Sequence, residues 1–177
     1  MQLPKTLLRT LFLFWAKLRK KPGYTVAQAE FLRINQLRAK AKAEQQLFID
    51  AFSTLLKTGG APHSGIATNT FNRLLLNAKN ANSTLINSLR TLEVLPENSL
   101  WLERNLDLAE HVAAMYSNEY DSALKLMFEN PDAIVELRPR LLSALEKQAA
   151  LQKEVQKLKN ELRAQYGLRA IDLLTAV

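Results

Sequence analysis

The chain has 177 residues and a mass of 20.0 kDa, enough for one domain with a sizeable hydrophobic core. It holds no Cys and two His, which excludes disulfides, thiolate zinc sites, iron–sulfur clusters and cysteine nucleophiles and leaves little for a histidine metal site. Five Gly and six Pro argue against a turn-rich β-fold, while 47% hydrophobic and 23% charged residues fit a globular chain, so the expectation is all-α, a bundle of four to five long helices. The net charge of +7 is unevenly spread: residues 1–92 carry +11 and residues 93–177 carry −4. That asymmetry points to an anionic partner or to acidic helices neutralised by basic neighbours within the fold.

The first predicted helix runs from about Leu3 to Lys21 and ends at Pro22-Gly23. Met1 to Ala29 contains no acid, and six basic residues surround the apolar run Leu11 to Ala16. The run is far shorter than the ~20 residues a bilayer-spanning helix needs, and no small-x-small cleavage site follows it. Three readings remain. The helix can lie on an anionic membrane, with Phe12, Phe14 and Trp15 entering the acyl boundary and Lys17, Arg19, Lys20 and Lys21 meeting headgroups. It can act as an organelle-targeting segment, although it lacks Ser. It can also be a first helix covered by other helices or another subunit. The expected location is intracellular, with cytoplasmic, membrane-peripheral and mitochondrial placements all open.

A second helix is predicted from Thr25, which has capping-box spacing to Gln28, through to Lys57, with Phe31, Ile34, Ala41, Phe48, Phe52 and Leu55 forming its apolar stripe. Its basic residues Arg33, Arg38, Lys40 and Lys42 are the best candidates for contacting nucleic-acid phosphates. Their neighbours are alanines rather than stacking aromatics, and no zinc finger, RNA-recognition motif or basic zipper accompanies them, so a solvated face or pairing with the acidic fourth helix is the preferred explanation. Thr58 to Gly65 reads as a loop.

The third helix is predicted from Thr68 or Asn69, with a heptad seam of Phe71, Leu75, Ala78, Asn82, Leu85, Leu89 and Leu92. A polar residue in mid-seam, here Asn82, commonly fixes register. After the loop Leu95 to Ser99, one fourth helix is predicted on the seam Leu102, Leu106, Ala109, Ala113, Tyr116, Tyr120, Ala123 and Met127. Asn130-Pro131-Asp132 then starts a fifth helix, which Pro139 is expected to kink or split near Arg138. Beyond it Leu151, Val155, Leu158 and Leu162 form a coiled-coil-like seam, so this last helix is expected as a C-terminal arm closed by Tyr166-Gly167. The chain divides accordingly into a basic N-terminal helix (1–21), a bundle core (25–129) and a Pro-kinked helix with a short apolar tail (130–177).

Chemical constellations fail on inspection. Gly60 to Gly65 has phosphate-loop spacing, but Ile66 and Ala67 stand where Lys and Ser/Thr are required, and a helix precedes it. His63-Ser64 lacks a nucleophile elbow, and Leu108 stands where a di-metal bundle needs Glu before His111. Glu103, Asp107 and Glu110 share a helical face that reads as a solvated or salt-bridged flank. No catalytic residue, cofactor or metal is therefore expected. The pattern points to a non-enzymatic subunit, adaptor or scaffold that meets protein partners by helical packing, homo-oligomers included, with the basic first helix able to hold it at a membrane surface; the alternative is a basic nucleic-acid-binding protein using the first two helices.

Overall fold

The computed structural model describes residues 24–57, 65–130 and 134–168, and among these no strand occurs. The helices are α1 (Tyr24–Lys57), α2 (Gly65–Arg90), α3 (Ser99–Ser117), α4 (Glu119–Glu129) and α5 (Ile134–Tyr166), with a 3₁₀ turn at Pro96–Asn98 leading into α3. The all-α bundle expected from composition and period is the observed architecture. The first predicted helix, most of the Gly-rich loop and the last nine residues fall outside the described residues.

Helix α1 buries Phe31, Ile34, Ala41, Phe48, Phe52 and Leu55, the stripe its spacing predicts. It begins at Tyr24, itself buried, so Thr25 lies inside the first turn rather than capping it. Helix α2 starts at Gly65, earlier than its composition suggests; first-turn N–H groups have no intrahelical acceptor, and a glycine there weakens the helix less than one in its interior. Of its predicted seam, Leu75, Ala78, Asn82, Leu85, Leu89 and the following Leu92 are buried, and Phe71 is half-buried. Asn82 behaves as a register device: its Nδ2 donates to the Ala78 carbonyl at 2.9 Å, and its Oδ1 accepts from Gln45 Nε2 of α1 at 2.7 Å.

Three expectations are corrected. The single fourth helix is two, α3 and α4, broken at Asn118, which sits at φ −111°, ψ −65°. The Ser117-Asn118 pair competes for backbone hydrogen bonds, so helix is weak there, and the i→i−4 bonds Asn118 N–H to Ala114 O and Ser122 N–H to Asn118 O hold the two pieces in sequence. Of the predicted seam, Ala109, Tyr116, Tyr120, Ala123 and Met127 are buried and Leu102, Leu106 and Ala113 are half-buried, while a second strip one residue earlier, Trp101, Asn105, Leu108, Val112 and Met115, is buried throughout. Helix α3 packs against α2, α4 and α5 at once, so its apolar arc is wider than a single seam.

The third correction concerns α5, which runs unbroken through Pro139. Proline removes the N–H that the Val135 carbonyl would accept, but Pro139 is exposed and Val135 is 69% exposed, so water can reach that carbonyl. Nor does α5 project as an arm. Val155 and Leu162 are buried and Leu151 and Leu158 pack against the same core, so the seam is satisfied within the chain, against α3 and α4. The helix ends where Tyr166-Gly167 predicts. Gly167 takes φ 70°, Leu168 N–H bonds Arg163 O at 2.8 Å and Gly167 N–H reaches Ala164 O at 3.4 Å, a Schellman cap in which Leu168 and Leu162 are both buried.

Candidate functional site

Polar side chains occupy heptad positions inside the bundle, and they determine where its chemistry lies. On α1 the column Phe31, Arg38, Gln45, Phe52 repeats every seven residues. Its apolar ends pack in the core, Phe31 stacking on Trp101 with ring centroids 4.3 Å apart. Its polar middle faces buried amides: Gln45 meets Asn82, and Arg38 Nη1 donates to Asn105 Oδ1 at 3.1 Å. Asn105 is buried, and its Nδ2 donates to the Trp101 carbonyl at 2.7 Å. Near the α1 start, buried Glu30 accepts from Leu95 N–H at 2.7 Å through Oε1 and from the Asn98 amide through Oε2.

The helical turn of about 100° per residue therefore divides the predicted basic patch between two faces. Arg33 and Lys40, seven apart, are exposed on one side, and Lys40 lines an open groove of about 260 Å³ between α1 and α2 with Leu37, Glu44 and Leu85. Arg38 is not on that surface: it is half-buried and turned toward Asn105, with exposed Lys42 one turn beyond it. Burial lowers the Arg38 pKa.

Opposite Arg38, α5 supplies Lys159 and Arg163. Lys159 Nζ donates to Asn35 Oδ1 of α1 at 3.2 Å. Desolvation lowers its pKa, and the like charges of Arg38 and Arg163 lower it further. The Arg163 Nε is buried with no hydrogen-bond partner. Among the described residues no carboxylate lies within ion-pair distance of these three cations. Sequence period gave a signal for the first of them, since Arg38 stands on the α1 apolar stripe; Lys159 and Arg163 flank the α5 seam, where basic residues are ordinarily solvated.

The acidic residues of α3 and α4 form pairs both within a helix and across helices. Glu110 meets Arg90 of α2 at 2.8 Å, and Asp107 meets Arg104 at 2.6 Å. Asp121 of α4 bridges Lys125 at 2.6 Å and Lys79 of α2 at 2.8 Å. The Lys125 hydrogen bond, with Lys79 second, holds the Asp121 carboxyl below its ordinary value of 3.8. A depressed carboxyl stabilises the fold above its unfolded pKa and loses that contribution as pH falls through the folded one. Asp121→Asn should therefore lower stability at neutral pH by about 0.5–1 kcal/mol and flatten the acid limb below about pH 4, as read by thermal unfolding across pH.

His111 Nε2 lies 2.8 Å from the Ala144 carbonyl and ties α3 to α5. No group of three or more His, Asp or Glu suited to a metal occurs among the described residues. Tyr116 and Tyr120 belong to an aromatic cluster with Phe48 and Phe52, and burial pushes both phenols up. Phe12, Phe14, Trp15, Lys17, Arg19, Lys20 and Lys21 lie outside the described residues. No described helix is long and apolar enough to cross a membrane.

The outer side of α5 carries the other candidate surface. Val135, Leu142 and Leu145 are 69%, 50% and 43% exposed. They step by seven and three, so they form one ridge on the side turned away from the Leu151–Leu162 seam. No protein-family model, curated protein or solved structure matches the chain.

Proposed function

We propose that the chain is a non-enzymatic helical subunit that joins a larger assembly through the outer face of α5. The observation that carries this reading is the Val135–Leu142–Leu145 ridge. Three large apolar residues share one face of a helix whose other face already packs in the bundle, and clustered exposed apolar surface marks an interaction site where scattered residues do not. The partner with the best complementarity is the same helix of a second copy, antiparallel and centred on Leu142. That alignment sets Val135 against Ala149 and Arg138 against Glu146 on both sides of the centre. The N-terminal basic segment, with Phe12, Phe14 and Trp15, is assigned in the same proposal to a partner or an anionic membrane surface.

Sedimentation equilibrium of the full chain tests the reading. The wild type is expected to show a mass that rises with concentration toward that of a dimer. Leu142→Lys/Leu145→Lys should remain monomeric with an unchanged melting temperature, because both side chains face water in the isolated bundle. A wild type that stays monomeric throughout, or a double variant that associates equally well, refutes the assigned face.

A further inference from the structure

We infer that the seam between α1 and α5 is a binding site for a small phosphate-class oxyanion, held by Arg38, Lys159 and Arg163. The three half-buried cations come from two helices that the Lys159–Asn35 hydrogen bond brings together, with Arg38 and Arg163 each about one turn along from that bond. Arg38 and Lys159 each have one protein acceptor, the side-chain oxygens of Asn105 and Asn35, and both of those are neutral. Arg163 presents a buried Nε–H with no acceptor at all. The other half-buried cations among the described residues meet acids: Lys79 takes Asp121, and Arg104 takes Asp107 with Glu154 at 3.8 Å. The buried carboxylate of Glu30, on the same helix as Arg38, is occupied by Leu95 N–H and Asn98.

Like charges in a partly desolvated seam repel, and a buried donor without an acceptor is unfavourable, so the arrangement lacks a negatively charged group with several acceptor oxygens. Phosphate has that chemistry. Its oxygens accept forked bonds from guanidinium and a point-charge bond from ammonium. All three side chains are half-buried, which leaves the seam open to a small ion and poorly placed for the backbone of a nucleic-acid duplex or a flat membrane. The Schellman bond from Leu168 N–H to Arg163 O fixes the backbone on which Arg163 stands, so only its side chain has to be ordered by a ligand. This site is independent of the α5 outer ridge and of the assembly assigned to it.

Calorimetric titration of the full chain with inorganic phosphate, with sodium chloride exchanged to keep ionic strength constant, tests the inference. A saturable site with one phosphate per chain is expected. Lys159→Met and Arg163→Gln should each weaken it by about tenfold or more, the loss of one charge-assisted contact, while Lys159→Arg retains it. Lys159→Met removes a charge whose burial is unfavourable, so its melting temperature without phosphate should be no lower than wild type, and loss of binding then cannot be ascribed to unfolding. Protection of the Lys159 amine from acetylation by phosphate, located by mass spectrometry in the wild type, gives a second reading that needs no variant. Phosphate acting no differently from chloride overturns the site, as does equal binding in both variants. Binding of a single-stranded oligonucleotide or of phosphatidylserine vesicles without any phosphate binding would overturn it too.

Discussion

Trp101→Ala should be the most destabilising single substitution in the bundle core, lowering stability by about 3–5 kcal/mol. Trp101 is wholly buried, stacks on Phe31 at 4.3 Å, and sits on the first turns of α3, where that helix meets α1. A buried indole removes on the order of 150–250 Å² from water, and its truncation leaves a cavity that the flat face of Phe31 cannot fill. One term opposes this: Trp101 Nε1 is buried with no acceptor, a defect that the substitution removes. Trp101→Phe removes the same defect while keeping a ring against Phe31, so it should lower stability by no more than about 1 kcal/mol. Thermal unfolding followed by circular dichroism separates the two, since about 2–4 °C per kcal/mol is expected for a chain of this size. Equal losses in both variants would mean that the stack with Phe31 contributes little.

The positions of these residues explain how much of the fold was legible in the sequence. In α1 and α2, Phe31, Ile34, Phe48, Leu75 and Leu89 stand on a period of three and four, and every one is buried. Those helices each have one buried stripe, and a stripe is what periodicity reports. Helix α3 has neighbours on more than one side, so its hydrophobic positions fill an arc, and the strip through Leu102 and Leu106 was one of two registers available. Asn105 obscured the deeper one, because an asparagine reads as surface until its partner is known, and Arg38 lies 67 residues away in sequence. The α5 seam was visible residue by residue; that its partner is α3 and α4 of the same chain depends on how the helices dock, which spacing does not encode.

The candidate anion site shows the same division. Arg38 belongs to a basic run on α1 that sequence reads as one patch, yet Arg33 and Lys40 face solvent while Arg38 faces Asn105. Lys159 and Arg163 lie more than 120 residues further on, and only the docking of α5 brings them beside Asn35 and Arg38. Charge sign was legible in the sequence; which charges meet without a counter-ion was not.

Glu30→Ala should lower stability by about 3 kcal/mol, more than removal of any exposed acid of the chain. Glu30 is 8% exposed, and its two oxygens engage different groups. Oε1 takes the backbone N–H of Leu95 at 2.7 Å, in the connection between α2 and the 3₁₀ turn, and Oε2 takes the Asn98 amide just before α3. One α1 side chain thus fixes the path by which the chain leaves α2 and enters α3. Alanine leaves two donors in a dry environment without acceptors, each worth about 1–3 kcal/mol. Glu30→Gln is the discriminating control. The Gln oxygen can keep Leu95 N–H while its amide opposes Asn98, and rotation of the Asn98 side chain turns Oδ1, now buried without a partner, toward that amide. The glutamine variant should therefore lose only about 1 kcal/mol. Hydrogen exchange at Leu95 distinguishes the mechanisms: protection should be retained in Glu30→Gln and lost in Glu30→Ala. Retained protection in both would show that the connection is held by packing of Leu92 and Trp101 rather than by this carboxylate.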